Sequence, residues 1–194
     1  MRIAELYARG EPVVSFEFFP PKTDAGYASL AHTIADLKRL SPGFVSVTWG
    51  AGGSTRSKTI DLVVSIQREI GLTAMAHMTC VGAPRMQLAE TLAHLASEGI
   101  ENVLALRGDP PKDAAGFEAV EGGFSHADEL VAFVREHFDL CVGAACYPEM
   151  HPEAPSAEAD LANLVHKVHA GAEFLITQLF FDPDDYSAFV ARAR

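Results

Sequence analysis

Two kinds of segment alternate along the chain. In the first kind, β-branched, aromatic and small apolar residues form short runs, which is typical of strands buried on both faces of a sheet. In the second kind, apolar residues recur every three or four positions, as they do in amphipathic helices. The predicted strands lie at residues 13–19, 44–48, 73–79, 102–106, 140–145 and 174–177. The predicted helices follow them at residues 27–37, 55–70, 84–98, 127–138, 156–170 and 183–194, with caps expected at Thr23 or Asp24 and at Ser54.

Strand–helix units in unbroken succession, with strands too apolar for a half-exposed sheet, predict a parallel sheet covered by helices. Two architectures fit this pattern, an open doubly wound sheet and a (β/α)8 barrel. The glycine-rich segment 50–55 is only weakly similar to a dinucleotide-binding loop, because the third glycine of GxGxxG is missing. A complete barrel needs about 250 residues, so in that case this chain would supply about six of the eight units.

The composition narrows the class of protein. The 194 residues are 48% hydrophobic and 21% charged, which is typical of one globular domain. A net charge of −11 without a cluster of Lys or Arg argues against nucleic acid or an anionic membrane as a partner. No apolar stretch reaches the roughly 18 residues of a membrane-spanning helix, and we see no signal peptide. Cys80, Cys141 and Cys146 lack CxxC spacing and are expected to be reduced thiols in the cytoplasm.

Polar residues recur where the predicted strands end, which in parallel sheets is the edge that binds ligands. Glu17 is the most informative of them because it stands between Phe16 and Phe18. Apolar surroundings raise the pKa of a carboxyl group, which suits a general acid near neutral pH. The alternative is a carboxylate held in an ion pair within the sheet. The other polar positions at this edge are Thr48, His77, Arg107, Asp109, the segment 147–151 and Gln178.

Three further features allow both a functional and a structural interpretation. The turn at residues 107–109 could bracket a flat polar ligand or be an ordinary surface turn. Asp160, Asn163 and Lys167 form a polar stripe on one predicted helix, which could bind a cofactor or simply face solvent. The histidines have no HxH or HExxH spacing, so we expect no metal site.

Six motifs carry a resemblance to a known family. They occur in the family's order along the chain: SFEFFPPK at 15–22, FVSVTWG at 44–50, AHMTC at 76–80, LRGDPP at 106–111, YPEMHPE at 147–153 and ITQLFFD at 176–182. On these motifs the chain resembles the methylenetetrahydrofolate reductase family. The resemblance implies an α/β fold, a (β/α)8 TIM barrel that holds FAD at the carboxyl ends of its strands. Residues 1–194 would then form a single FAD-binding reductase domain.

The resemblance also implies a reaction. NADH or NADPH would reduce the bound FAD, and 5,10-methylenetetrahydrofolate would then be reduced to 5-methyltetrahydrofolate, the methyl source for methionine synthesis. Glu17 matches the catalytic acid that protonates the folate, Asp109 matches a catalytic carboxylate beside flavin and folate, and Gln178 matches a substrate-binding glutamine. The cofactor contacts match Thr48, Trp49, Ala51, His77, Arg107, Gly108, Asp109, Ala127, Tyr147, His151, Ala154, Asp160, Asn163 and Lys167.

The family's last two βα units have no counterpart in this sequence. We therefore expect a barrel that is incomplete at its carboxyl end, with unpaired edges on its first and sixth strands. The 194 residues alone are expected to be unstable and inactive, whereas the full-length form would be a cytoplasmic reductase and a homo-oligomer. The alternative is a non-catalytic fragment, or a flavin-binding module without turnover.

Overall fold

Six parallel strands form one curled sheet, a half-barrel of βα units. The computed structural model describes residues 1–49, 56–110 and 116–194, so the glycine-rich segment 50–55 lies outside the described residues. The strands lie side by side in chain order: β1 (Ser15–Phe18), β2 (Phe44–Val47), β3 (Ala74–Thr79), β4 (Asn102–Leu106), β5 (Cys141–Cys146) and β6 (Phe174–Thr177). This order confirms the barrel prediction and excludes the doubly wound alternative, in which the strand order reverses at a switch point.

The predicted helices are confirmed, and a short one that was not predicted precedes the first strand. In the described part of the chain they are α1 (Ile3–Tyr7), α2 (Asp24–Leu37), α3 (Arg56–Ser65), α4 (Arg85–Ser97), α5 (Ala127–His137), α6 (Ala157–His169) and α7 (Pro183–Ala193). A 3₁₀ turn, Lys38–Leu40, extends α2, and a π-helical turn, Ile66–Ile70, extends α3.

Local chemistry accounts for the helix ends. The hydroxyl of Thr23 accepts a hydrogen bond from the amide of Gly26 at 3.1 Å, so Thr23 is the N-cap of α2. The hydroxyl of Ser156 caps α6 in the same way. Gly71, with a φ of 74°, ends the helical segment after α3 in the left-handed region that glycine adopts without steric cost.

The observed strand bounds differ from the predicted ones at β1 and β5, and by one residue at one end of β2 and of β3. The first strand begins at Ser15 and not at Val13, because pairing with β2 starts where Ser15 lies opposite Phe44. The fifth strand is shifted by one residue, to Cys141–Cys146. Strands β4 and β6 have the predicted bounds.

Side chains that point outward from the strands form the larger hydrophobic core. Successive residues of a strand point to opposite faces of the sheet, so every second residue faces the helices. Val45 and Val47 of β2 and Val103 of β4 are fully buried in this layer, against Leu88, Leu92, Leu95 and Val131 from α4 and α5. This layer fixes the sheet and leaves the alternate positions free to line the barrel interior.

The short helix α1 closes the amino-terminal end of the interior. Its Ile3 and Leu6 pack against inward-facing side chains that include Phe44 and Leu104. Fully buried Asn102 fixes the helix, because its Oδ1 accepts a hydrogen bond from the Ile3 amide at 2.8 Å and its Nδ2 donates one to the Met1 carbonyl at 3.0 Å. This floor leaves the carboxyl ends of the strands as the edge for a polar site.

Gly143 gives the interior room for an aromatic ring from the next strand. Phe174 of β6 lies over Gly143 of β5, opposite which it stands in the parallel register. A Cβ at position 143 would lie 2.3 Å from Cε2 of the ring, well inside van der Waals contact. The absence of a side chain at Gly143 is therefore a packing requirement of the barrel interior.

In the described part of the chain, no helix is both long and apolar enough to cross a membrane. The three cysteines are buried and form no disulfide, in agreement with the prediction of free thiols. Burial raises the pKa of the Cys80 thiol to about 12 and that of Cys146 to about 11, so both are unreactive at neutral pH.

We predict that Gly143→Ala lowers the free energy of unfolding by about 1–3 kcal/mol, because the Phe174 ring must move. Urea unfolding followed by circular dichroism measures the change. Gly116→Ala is the matched control, since a Cβ there meets no atom within 4 Å. A Gly143→Ala protein as stable as the Gly116→Ala protein would contradict the packing argument.

Candidate functional site

Glu17 lies on the inner face of the barrel wall, near the carboxyl end of β1. Its register partner on β2 is Ser46, whose hydroxyl donates a hydrogen bond to Glu17 Oε2 at 3.4 Å. His77 on β3 brings its Nε2 to 3.4 Å from the same oxygen. Three neighbouring strands therefore bring one carboxyl, one hydroxyl and one imidazole together.

The pKa of Glu17 lies above its ordinary value. Partial burial is the main cause, and the hydrogen bond from Ser46 opposes it by favouring the carboxylate. The direction agrees with the sequence-based expectation, but the surroundings differ from it. Phe16 and Phe18 point to the opposite face and pack against the helix-side core, so the phenyl rings do not surround the carboxyl group.

His77 is buried, with a side chain that is 8% exposed. Burial lowers its pKa to about 4, so the ring is neutral at physiological pH. The Glu17 oxygen lies close enough for an ion pair, yet the contact lacks hydrogen-bond alignment, and burial therefore dominates. Because the pKa of Glu17 is raised and that of His77 is lowered, both shifts favour the uncharged forms of the pair.

A second cluster surrounds the turn after β4. Arg107 makes a bidentate ion pair with Glu153, with N–O distances of 2.5 and 2.9 Å, and its guanidinium lies 5.0 Å from the centre of the Phe117 ring. The pair raises the pKa of Arg107 and lowers that of the exposed Glu153. A cleft of about 460 Å³ opens beside it, also lined by Ser125 and His126.

The turn itself has the backbone geometry that its glycine suggests. Gly108 has a φ of 85°, and a Cβ there would lie 2.8 Å from a Val81 methyl group. Asp109 is exposed beside it. Burial raises the pKa of Tyr147, and the charge of Asp109 adds to the effect, which shows that the β4 and β5 loops lie close together.

The loop after β5 and helix α6 form one hydrogen-bonded unit. The Tyr147 and His151 rings meet edge to face at 4.7 Å between their centres. The amide of His151 donates a hydrogen bond to Asp160 Oδ2 at 3.0 Å. Lys167 Nζ donates one to the Ala145 carbonyl at 2.8 Å, and burial lowers the pKa of this lysine. Asp160 and Lys167 of the predicted polar stripe therefore belong to the site edge.

The remaining predicted positions are more dispersed. Thr48 is buried just after β2, and Gln178 is exposed just after β6. Trp49 is buried in the helix-side core, so its side chain does not face the barrel interior. Ala154 lies in the loop after β5, Ala127 is the first residue of α5, and Asn163 is exposed on α6. Ala51 lies outside the described residues.

Two residues important to this geometry were not predicted as site residues. Ser46 and Glu153 contact Glu17 and Arg107, respectively. The alternation of β2 gives a signal for Ser46, because it lies two positions before Thr48 and therefore on the same face. Within the described ranges, no group of three His, Cys, Asp or Glu side chains could hold a metal ion.

Two buried polar atoms on β3 have no hydrogen-bond partner among the described residues. They are His77 Nε2 and Thr79 Oγ1, on successive inward-facing positions. A buried polar group without a partner costs about 1–3 kcal/mol. Such atoms at the ligand-binding edge of a parallel sheet fit a bound molecule with polar groups on its own edge.

The comparisons with known proteins agree with one another. The profile of the family "Methylenetetrahydrofolate reductase" matches residues 2–194. The 5,10-methylenetetrahydrofolate reductase of Pectobacterium carotovorum is 44% identical over 189 residues, which cover 96% of this chain and 60% of that protein. Methylenetetrahydrofolate reductase (NADH) 1 of Arabidopsis thaliana is 40% identical over 204 residues, which cover 100% of this chain and 34% of that protein. The chain thus spans about a third to three fifths of the length of these curated relatives.

A solved structure supports the fold alone. Tryptophan synthase from M. tuberculosis superposes with a TM-score of 0.64 at 16% identity, over 97% of this chain and 72% of that one.

The buried His77 predicts a pH-dependent stability. Its pKa is about 4 in the folded protein and about 6.5 in the unfolded chain, so the unfolded state binds more protons between these values. The free energy of unfolding should therefore fall as the pH drops from about 6.5 to about 4, by up to about 3 kcal/mol from this residue. Urea unfolding at successive pH values measures it.

His77→Asn should lose this part of the pH dependence, whatever its stability at neutral pH. His94→Gln, at an exposed histidine of α4, is the control and should retain it. Equal pH profiles for His77→Asn and His94→Gln would contradict the assignment.

Proposed function

The chain belongs to the methylenetetrahydrofolate reductase family, and we propose that it acts in the reduction of 5,10-methylenetetrahydrofolate to 5-methyltetrahydrofolate. Electrons would come from NADH or NADPH through FAD, and residues 1–194 would form the FAD-binding domain. The observation that carries the proposal is the half-buried Glu17, with its raised pKa, at the strand ends that also bear Asp109 and Gln178. The names of the relatives support the reaction.

The residues at this edge fit a flavin nucleotide. His77 Nε2 and Thr79 Oγ1 are buried polar atoms in need of partners, and a flavin ring carries such partners on its edge. The phosphates would find the cation of Arg107 and the amino-terminal amides of α5, which begins at Ala127 without a side-chain cap in the described region. FAD, when bound, supplies a carrier that takes a hydride from one substrate and gives it to the other.

The protein's own residues would supply binding and a proton. We propose that Glu17 protonates the folate as its five-membered ring opens, because a carboxyl with a raised pKa retains its proton closer to neutral pH. Asp109 is exposed beside Tyr147 and would accept hydrogen bonds from the pterin ring. Gln178, exposed after β6, would bind the same substrate from the other side.

Tyr147, His151, Asp160 and Lys167 would support the cofactor as a pre-formed unit. Their hydrogen bonds and ring contact already fix the β5 loop on α6. Thr48 would lie beside the nicotinamide. The buried, unpaired cysteines support the expectation of a reducing compartment such as the cytoplasm, and assembly into a homo-oligomer stays a prediction.

Flavin binding is the first test of this function. The purified full-length form should bind added FAD, with an absorption band at about 450 nm. Arg107→Ala should weaken this binding by about tenfold or more, since it removes a largely buried cation beside the cleft. Arg39→Ala is the control, because this exposed arginine pairs with Asp36 and lies in the turn before the amino end of β2, away from the carboxyl ends of the strands. A protein that takes up no FAD would refute the flavin part of the proposal, as would equal affinity in the two variants.

Glu17→Gln tests the proton donor in the FAD-loaded protein. Reduction of the flavin by NADH or NADPH should be retained, whereas reduction of the folate should fall by about 100-fold or more, because general acid catalysis is lost. Stopped-flow absorbance near 450 nm measures both half-reactions. Glu11→Gln, at an exposed residue before β1, should change neither. Equal loss of both half-reactions in Glu17→Gln would indicate a structural role for Glu17.

A further inference from the structure

Ser46 and His77 both approach Glu17 Oε2. This arrangement points to a positioning residue that the resemblance to the family did not indicate. We propose that Ser46 orients the Glu17 carboxyl, so that Oε2 is held by the protein and Oε1 is left to carry the transferable proton. The inference rests on the proposed function of Glu17 as an acid, and it concerns how the carboxyl group of that acid is oriented.

The register places Ser46 where such a residue must stand. It lies directly opposite Glu17 in the β1–β2 pair, and both side chains point into the barrel. Ser46 is only 4% exposed, whereas the Glu17 side chain is 47% exposed. The Ser46 hydroxyl therefore lies in the packed interior, whereas the Glu17 carboxyl group extends from the interior toward the open edge of the barrel.

Among the described residues, two polar side chains contact the Glu17 carboxyl group, and both contacts fall on one oxygen. Ser46 Oγ lies 3.4 Å from Oε2, and His77 Nε2 lies 3.4 Å from the same atom. In a protonated carboxyl group, one oxygen is a carbonyl acceptor and the other carries the hydrogen. A hydroxyl that donates to Oε2 makes that oxygen the acceptor, so the hydrogen resides on Oε1.

Holding the carboxyl group in one orientation matters because a half-exposed glutamate otherwise samples several rotamers. A general acid works only when its proton lies within hydrogen-bond reach of the atom that receives it. His77 is the titratable side chain that faces Glu17 from the described strands, and it is neutral at physiological pH. Ser46 can therefore act on the carboxyl group without adding a charge that would hold it ionised.

Direct titration of Glu17 tests the contact without any need for activity. The carbon-13 signal of the Glu17 carboxyl, assigned by its loss in Glu17→Gln, reports its pKa in the full-length form of the protein. Ser46→Ala should shift the titration midpoint upward, because the hydrogen bond that favours the carboxylate is lost. Ser46→Thr keeps the hydroxyl and should return the midpoint toward that of the original protein.

Ser15→Ala is the matched control, since Ser15 lies on the same face of β1 and makes no hydrogen bond to Glu17 in the described structure. Its midpoint should not move. An amide nitrogen–proton spectrum checks that each variant is folded. Where Ser46→Ala is not, Ser46→Cys gives the same test with a weak donor of similar shape. A midpoint unchanged in the folded Ser46→Ala or Ser46→Cys protein would overturn the proposal.

A kinetic measurement separates this inference from the proposed function. In the FAD-loaded protein, Ser46→Ala should slow folate reduction by about threefold to tenfold, while flavin reduction keeps its rate. A shifted midpoint in a protein that reduces no folate would uphold the contact and refute the reductase. Normal folate reduction in Ser46→Ala would refute positioning, even with Glu17→Gln inactive.

Discussion

The structure depends on the alternation of side chains along six parallel strands. Each strand sends one set of residues outward to the helices and the other set into the barrel. The outward set is apolar along its length, as at Val45, Val47 and Val103, and it gives the sheet its stability. The inward set is free to change character along the strand, from Phe44 at the floor through Ser46 to Thr48 at the edge.

Burial then has different consequences for different polar groups in the interior. Asn102 is fully buried, but both ends of its amide are hydrogen-bonded, so it contributes to the attachment of α1. His77 and Thr79 are also buried, yet His77 Nε2 and Thr79 Oγ1 have no hydrogen-bond partner among the described residues. The contrast distinguishes a polar group whose hydrogen bonds are satisfied within the protein from two that keep hydrogen-bonding capacity available to a ligand.

Much of this fold could be predicted from the sequence because burial on both faces gives parallel strands an uninterrupted apolar pattern. Strands β4 and β6 have the predicted bounds, and the glycine-ended helices were recognisable. Helix α1 was not, since five residues are too few to show a helical period. The barrel was distinguished from the doubly wound sheet only by the resemblance, because spacing alone fits both.

The site was predictable in its residues and less so in its contacts. The raised pKa of Glu17 was expected from its neighbours in sequence, Phe16 and Phe18, but a strand turns those side chains to the opposite face. The actual neighbours, Ser46 and His77, come from other strands and depend on register, which no local pattern specifies. The Arg107–Glu153 pair joins two loops that are distant in sequence, so no local sequence pattern predicts it either.

The missing side chain at Gly143 has a consequence for how such sequences can diverge. The ring of Phe174 occupies the volume that a larger residue at position 143 would fill. A bulkier residue on β5 becomes acceptable only after the aromatic group on β6 has been replaced by a smaller one. Positions 143 and 174 must therefore change in a fixed order, with position 174 first, so that each intermediate sequence still folds.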